Sequence, residues 1–106
     1  MNSNYYVYII KCRDDSFYIG YTNDLEKRIF THNAKKGAKY TRGRTPITLI
    51  YYEKFLKKGE ALSYEHSLKK LNRQQKERYI KENIMEEKKK KILDINKKLK
   101  NNKKEK

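Results

Sequence analysis

The chain has 106 residues, one cysteine and a formal net charge of +15. Its length fits one domain, and a lone cysteine without a Cys/His cluster excludes a disulfide scaffold or a structural zinc site within one chain. The charge favours a polyanionic partner, with nucleic acid the first expectation and an anionic membrane surface the second. No apolar run has the length of a membrane span and no signal peptide is visible, so we expect a cytoplasmic, reducing location, with the nucleoid as a further option.

Two short runs at the start of the chain are typical of β-strands. Residues 5–10 are continuously apolar or aromatic, residues 17–22 form a second run, and turn formers lie between them. We therefore predict a β-hairpin. A turn centred near residue 14 or 15 brings Tyr8 and Tyr18 to about the same level. Gly20 lies just beyond them, where a glycine often marks a close approach by a ligand or another backbone.

A helix is predicted after the hairpin, over residues 25–36. Asn23 followed three residues later by Glu26 has the spacing of a capping box, and Gly37 marks the C-terminal end. Arg28 and His32 lie one turn apart and flank the apolar stripe of this helix.

A loop over residues 37–46 separates this helix from a third strand over residues 47–52. After a turn at 57–59, a second helix is predicted over residues 60–71. On a helical wheel, Glu65 falls within the apolar stripe that contains Ala61, Leu62 and Leu68. A carboxylate in such a stripe is costly unless a cation or a metal ion meets it, so Glu65 is the position that says most about function.

Asn72 and Gln75 have the spacing to cap a third helix that runs to about residue 82. The lysine-rich remainder has only a sparse apolar stripe, so we expect a frayed tail that is partly helical or disordered. Residues 1–83 are assigned to one domain and residues 84–106 to the tail. The order β-β-α-β-α-α predicts an α/β fold with helices flanking a small three-stranded antiparallel or mixed sheet, the first strand at its centre.

Two triplets of the hairpin, Tyr6-Val7-Tyr8 and Tyr18-Ile19-Gly20, resemble the motifs that name the GIY-YIG nuclease superfamily. The first triplet keeps the tyrosine and the second matches fully. With KGAKYTRGRTP at residues 36–46 and the EAL…E…LKKL run at 60–71, the pattern is similar to small single-domain bacterial members (UPF0213-like) over about residues 4–82. The resemblance implies the core fold of that family and metal-dependent cleavage of phosphodiester bonds in DNA, in a repair or recombination setting.

The resemblance also implies roles for five side chains. Glu65 would hold one divalent metal ion, Mg²⁺ or Mn²⁺. Arg28 would contact the scissile phosphate. Tyr8, Tyr18 or His32 would position or deprotonate the attacking water, and the choice among the three stays open.

The cationic loop and its flanks are predicted to bind nucleic acid. Cations serve phosphates and a tyrosine can stack a base. The candidate contacts are Lys35, Lys36, Lys39, Tyr40, Arg42 and Arg44. Since no segment has the form of a base-reading helix, we expect DNA to be bound by backbone charge and shape, with RNA as the alternative.

Each assignment has a structural alternative. Tyr8 and Tyr18 also fit half-buried sheet tyrosines. Arg28 and His32 also fit a solvated helix face, and Glu65 also fits an ion pair with Arg28 or a lysine. Two other functions stay open, namely a non-catalytic nucleic-acid-binding module of the same fold and a basic partner-binding or membrane-surface protein. The sequence leaves the oligomeric state undetermined.

Overall fold

A computed structural model of the chain describes residues 4–104, with side chains over residues 4–100, and has the predicted α/β architecture. The elements are β1 (Tyr5–Lys11), β2 (Phe17–Thr22), α1 (Leu25–Asn33), α2 (Lys39–Arg42), β3 (Thr48–Phe55), α3 (Lys58–Lys69), α4 (Arg73–Asn83) and α5 (Glu86–Lys104). The short helix α2 lies inside the segment that was predicted as a loop.

The central strand is β1, as predicted. The sheet order is β2-β1-β3 and both pairings are antiparallel. Because successive side chains of a strand point to opposite faces, Tyr8 and Ile10 lie on one face, whereas Val7 and Ile9 lie on the other. All four side chains are buried, and this two-sided burial explains why the run is apolar without alternation.

Helices cover both faces of the sheet. Leu25 and Ile29 of α1 pack on the face that carries Tyr8, together with apolar residues of α5. Ala61 and Leu68 of α3 pack on the opposite face. The edge of α1 and the strands β1 and β2 therefore meet around Tyr8.

The turn of the hairpin is centred on Asp14, as predicted, but Tyr8 and Tyr18 do not lie at the same level. Tyr8 faces Gly20 and Tyr18 faces Ile10, two residues away from the predicted pairing of the two tyrosines. A difference of two residues keeps side chains on the same face of the sheet. Tyr8 and Tyr18 are therefore diagonal neighbours, with ring centroids 6.5 Å apart.

The ends of α1 also differ from the prediction. Asp24, and not Asn23, caps the helix, because its Oδ1 accepts a hydrogen bond of 3.3 Å from the backbone N–H of Lys27. The helix ends at Asn33, before Gly37. By contrast, the capping box of Asn72 and Gln75 at the start of α4 is present as predicted.

The bounds of β3 and α3 differ from the prediction. β3 extends to Phe55, beyond the predicted end at residue 52, and α3 runs from Lys58 to Lys69, two residues earlier than predicted. Leu62 was placed in the apolar stripe of α3 but is 40% exposed, whereas Ala61 and Leu68 are buried. The fully buried stripe of α3 is narrower than a helical wheel suggests, and Tyr64 is only partly buried against the same cluster.

The C-terminal segment forms a helix that belongs to the core. Ile92, Ile95 and Leu99 of α5 are buried against the face that carries Tyr8. Asn96 pairs with the outer edge of β3: its Oδ1 accepts from the Leu49 N–H and its Nδ2 donates to the Leu49 C=O, each at 3.0 Å. The expected fraying applies to an isolated helix, and α5 is not isolated, because it covers an open strand edge.

Replacing Asn96 by Ala is expected to lower the free energy of unfolding by about 1–3 kcal/mol, since the Leu49 N–H would lose its partner in a largely buried place. Urea denaturation followed by circular dichroism measures the change. Lys97→Ala, one position along on the exposed side of α5, is the control and should stay within about 0.5 kcal/mol of the wild type. Equal midpoints for the two variants would contradict the role given to Asn96.

Among the described residues, no helix combines the length and apolarity that crossing a bilayer requires.

Candidate active site

Tyr8 lies at the centre of the candidate site, on the middle strand of the sheet. Its side chain is buried, with 1% of its surface exposed. Gly20 is its partner on β2, and a Cβ atom at Gly20 would overlap the Tyr8 hydroxyl. The glycine of the second triplet therefore leaves the space in which the phenol lies, so the group that approaches it is the Tyr8 side chain and not the ligand or backbone that the sequence suggested.

Helix α1 brings two further side chains to the Tyr8 hydroxyl. His32 is fully buried, and its Nε2 lies 2.7 Å from Tyr8 Oη. Arg28, one turn earlier and half-buried, donates from Nε to the same oxygen at 3.4 Å. Arg28 and His32 do not form a solvated helix face, and the prediction that both flank the core stripe understates the burial of His32.

The other side of the His32 ring meets the segment that contains α2. His32 Nδ1 lies 2.8 Å from Thr41 Oγ1, and Thr41 is fully buried. A Cβ atom at Gly37 would overlap His32 Nδ1, so this glycine lets the backbone pass over the imidazole. Thr41 was missed from the sequence because its motif was interpreted as a cationic loop. The one available signal was that GAKYT begins with two small residues, Gly37 and Ala38, and contains a single cation.

Burial sets the protonation of Tyr8 and His32. It raises the pKa of Tyr8 to about 12, although the Arg28 guanidinium acts in the opposite direction. Burial lowers the pKa of His32 to about 4, and the charge of Arg28 adds to this shift. At neutral pH the pair is therefore an un-ionised phenol beside a neutral imidazole.

Tyr18 completes an aromatic wall beside this pair. Its ring lies edge-on to His32 at 5.5 Å and is stacked against Tyr40 at 6.0 Å. The Arg44 guanidinium lies 4.0 Å from the centre of the Tyr40 ring and also pairs with Asp14 at 3.0 Å. Tyr40 and Arg44 therefore pack against Tyr18 and stabilise its position. This structural role is additional to the nucleic-acid contact predicted for both residues.

Glu65 lies on α3, which packs on the face of the sheet opposite Tyr8. Burial is the main cause of the raised pKa of Tyr8, and the charge of Glu65 acts in the same direction. Its side chain is 16% exposed and pairs with Lys69 at 3.1 Å, so the lysine partner allowed by the sequence is present. His66 is exposed, as predicted.

The predicted nucleic-acid contacts form two groups. Arg42 and Arg44 have structural partners, since Arg42 Nε donates to Gly37 O at 3.1 Å and Arg44 Nη1 donates to Tyr40 O at 2.7 Å. Lys35, Lys36 and Lys39 are exposed, and their side chains make no hydrogen bond or ion pair with the described part of the chain. The structure brings Tyr8, Tyr18, Arg28 and His32 into contact. Among the described residues, the partner of the Glu65 carboxylate is Lys69, and the lysines of the predicted loop lie at the surface.

A methyl group at Gly20 is expected to displace the Tyr8 phenol. Gly20→Ala should lower the free energy of unfolding by about 1–3 kcal/mol, the usual effect of overpacking a core. Gly43→Ala is the matched control, because a Cβ atom there would meet nothing within 4 Å. Urea denaturation of both variants tests the packing, and a neutral Gly20→Ala would show that the phenol can move away freely.

The buried His32 predicts a specific pH dependence of stability. Its folded pKa of about 4 lies below the ordinary 6.5, so the unfolded chain binds the extra proton between these values. The contribution of neutral His32 to the free energy of unfolding is therefore fully present above about pH 6.5. It is lost as the pH drops towards 4, and the loss amounts to up to about 3 kcal/mol. Urea midpoints at pH 7 and pH 4.5 measure the loss.

The two histidines provide a control for this prediction. His32→Gln should flatten the pH dependence, whereas the exposed His66→Gln should keep the wild-type slope. The carboxylates titrate in all three proteins, so only the difference between slopes carries information. Parallel slopes in all three proteins would mean that His32 does not carry the effect.

Comparisons with known proteins identify the family of this chain. A family model described as the GIY-YIG catalytic domain matches residues 4–83. The UPF0213 protein YazA of Bacillus subtilis (strain 168) is 54% identical over 80 residues, which cover 76% of this chain and 81% of the relative. The UPF0213 protein SH2523 of Staphylococcus haemolyticus (strain JCSC1435) is 52% identical over 80 residues, which cover 76% of this chain and 98% of the relative.

Two solved structures are also similar to the chain. The solution NMR structure of the UPF0213 protein BH0048 from Bacillus halodurans has a TM-score of 0.52 and 46% identity, covering 76% of this chain and 85% of that one. The solution NMR structure of EF2693 from E. faecalis has a TM-score of 0.53 and 45% identity, covering 76% and 88% respectively. The family match ends at residue 83, before α5 begins at Glu86. By its sequence and its fold, the chain belongs to the GIY-YIG family.

Proposed function

We propose that this protein is a metal-dependent endonuclease that hydrolyses phosphodiester bonds in DNA. The observation that carries the proposal is the 2.7 Å contact between Tyr8 Oη and His32 Nε2, with the Arg28 guanidinium at 3.4 Å from the same oxygen. A phenol paired with a neutral imidazole and a cation is an arrangement that can take a proton from water. The catalytic unit is proposed to be residues 1–83.

The hydrogen-bonded pair of Tyr8 and His32, the proton chain, is proposed to act as the base. Tyr8 passes its own proton to His32 Nε2 as it takes a proton from the attacking water. The resulting hydroxide forms a P–O bond, the bond to the leaving oxygen breaks, and that oxygen takes a proton from solvent. A free tyrosinate is a scarce base when the phenol has a pKa of about 12. Passing the proton on to His32 in the same step avoids accumulating that anion. The imidazolium is disfavoured by burial, which lowers the pKa of His32, and the nearby negative phosphate is proposed to offset this cost.

Arg28 and Tyr18 are proposed to align the substrate. A guanidinium has five N–H donors in a planar fork. Arg28 donates a hydrogen bond from Nε to the Tyr8 oxygen. Its remaining N–H groups can donate to the phosphate. Tyr18, held against His32 and Tyr40, is proposed to orient the water beside the phenol.

Glu65 is the proposed metal ligand. Residues 4–104 contain no cluster of three or more Asp, Glu, His or Cys side chains that could hold a metal ion. A lone carboxylate fits Mg²⁺, which keeps several waters and shares phosphate oxygens in its coordination shell, and Mn²⁺ is the alternative. When bound, the ion would stabilise negative charge on the phosphate and leaving oxygens.

The exposed lysines are proposed to contact the DNA backbone. Lys35, Lys36 and Lys39 follow α1 and precede the stacked Tyr40, next to the Tyr18 wall. Each phosphate contact adds to the salt dependence of binding. Arg42, Arg44 and the 40% exposed Tyr40 remain candidate contacts at this rim.

One observation favours a second function, a nucleic-acid-binding module without catalysis. Glu65 is paired with Lys69, so its burial does not by itself require a metal ion. The hydrogen bonds among Tyr8, His32 and Thr41 count against this alternative, because binding a polyanion does not need a buried imidazole.

The test is a cleavage and binding assay on labelled single-stranded, duplex, flapped and branched DNA and on single-stranded RNA. Each substrate is incubated with Mg²⁺, with Mn²⁺ or with EDTA. Metal-dependent cleavage of DNA is expected, with binding that weakens as salt rises. Tight binding without cleavage of any substrate would favour the binding module, and cleavage of RNA alone would correct the substrate.

A further inference from the structure

Thr41 is a buried polar side chain that the proposed mechanism does not use. It is fully buried on α2, and its hydroxyl oxygen has two close neighbours. His32 Nδ1 lies at 2.8 Å and the backbone oxygen of Ala38 at 3.0 Å.

The directions of these hydrogen bonds follow from a count of hydrogens. A hydroxyl has one hydrogen to donate, and a carbonyl oxygen can only accept. If the Thr41 hydrogen pointed to His32, the oxygens of Thr41 and Ala38 would face each other at 3.0 Å without a proton between them. Thr41 therefore donates to Ala38 O and accepts from His32 Nδ1–H.

The same count extends to Tyr8. A neutral imidazole carries one N–H, so a proton on Nδ1 leaves Nε2 as an acceptor. Tyr8 O–H then donates to His32 Nε2 across 2.7 Å. The three hydrogen bonds therefore point in one direction. Tyr8 donates to His32, His32 donates to Thr41, and Thr41 donates to the backbone oxygen of Ala38, which precedes α2.

We propose that Thr41 is a positioning residue that holds His32 in the Nδ1–H tautomer, with Nε2 ready to receive the proton of Tyr8. This inference rests on the proposed nuclease function and deepens it. When His32 becomes a cation, both of its N–H groups have acceptors, because Nδ1–H still faces Thr41 and Nε2–H faces the Tyr8 oxygen. Gly37 contributes space, since a Cβ atom there would overlap Nδ1.

The tautomer can be measured by ¹⁵N NMR of the full-length protein at pH 7, without any substrate. The chain has two histidines, and His66→Gln assigns the remaining ring signals to His32. In the wild type and in Thr41→Ser, Nδ1 should be the protonated nitrogen and Nε2 the bare one. In Thr41→Val, which lacks the acceptor, the proton should move to Nε2.

Cleavage kinetics supply the second readout. Thr41→Val is expected to lower kcat by about 10- to 100-fold, which is the size of effect seen when the partner that orients a metal-bound histidine is removed, with KM unchanged. Thr41→Ser keeps the hydroxyl and should stay near the wild-type rate. The ¹H–¹⁵N spectrum of each variant reports whether it is folded.

The outcomes separate this inference from the proposed function. An Nε2–H tautomer in the wild type would overturn the role of Thr41 even if the protein cleaves DNA. An unchanged tautomer and rate in a folded Thr41→Val would overturn it as well. If the Nδ1–H tautomer depends on the Thr41 hydroxyl but no substrate is cleaved, the positioning of His32 stands and the nuclease proposal fails.

Discussion

A Tyr8→Phe variant is expected to cleave DNA about 10²- to 10⁴-fold more slowly than the wild type, the range typical of a lost acid–base group. The substitution keeps the ring and removes the oxygen that contacts both His32 Nε2 and Arg28 Nε. Water would then have no direct path to the imidazole. Single-turnover cleavage with the enzyme in excess measures the change without interference from product release.

Tyr52→Phe is the matched control for Tyr8→Phe. Tyr52 faces Tyr8 from β3 and is largely buried on the same face. Within the described part of the chain its hydroxyl makes no hydrogen bond, so its removal leaves the proton chain intact. We expect Tyr52→Phe to cleave at nearly the wild-type rate. If Tyr8→Phe cleaves as fast as Tyr52→Phe, the Tyr8 hydroxyl takes no part in the reaction.

Glu65→Gln is expected to reduce cleavage by about 10²- to 10³-fold, because a Lewis acid held at this position supplies several kcal/mol of charge stabilisation. Binding should be retained or tightened, since a negative charge near the polyanion is removed. The lost pair with Lys69 is an i,i+4 contact, for which we expect about 0.3–0.5 kcal/mol of stability. Cleavage rates at increasing Mg²⁺, with a binding assay on the same samples, measure both effects.

Glu60→Gln controls for the loss of one negative charge on α3. Glu60 lies in the first turn of that helix and is exposed. It should change neither the rate nor its dependence on Mg²⁺. If Glu65→Gln cleaves like Glu60→Gln but unfolds at lower urea, Glu65 serves the fold through Lys69 and does not hold the metal.

Local patterns in the sequence were enough to predict the sheet and three of the helices. The unbroken apolar run of β1 indicated a strand covered on both faces, and Val7 and Tyr8 are indeed buried on opposite sides. The capping residues Asn72 and Gln75 placed the start of α4. These features depend on neighbours in the chain, which a sequence displays directly.

The details of the site depend on contacts between distant residues. His32 appeared to lie beside the core stripe of α1, and its complete burial arises because the segment from Gly37 to Thr41 passes over it. The contact between His32 and Thr41 joins two elements that the sequence separated into a helix and a cationic loop. No periodic pattern reports such a contact.

The helix α5 was underestimated for a related reason. Ile92, Ile95 and Leu99 have the spacing of an amphipathic helix, but its stability depends on a surface elsewhere in the fold. That surface includes the outer edge of β3, where Asn96 meets both backbone groups of Leu49. The family model ends at residue 83, and residues 1–83 remain a proposal for the catalytic unit, with α5 as a helix that covers its edge.

Whether the Tyr8–His32 pair is a hydrolytic site is decided by Mg²⁺-dependent cleavage of the DNA panel by the wild type, with Tyr8→Phe purified in parallel and binding measured on both. We expect the wild type to cleave at least one substrate only when metal is present. Tyr8→Phe should bind the same substrate and cleave it at least about 10²-fold more slowly. Equal cleavage by both proteins, or binding without cleavage by the wild type at any metal concentration, would contradict the claim that the Tyr8–His32 pair is a hydrolytic site.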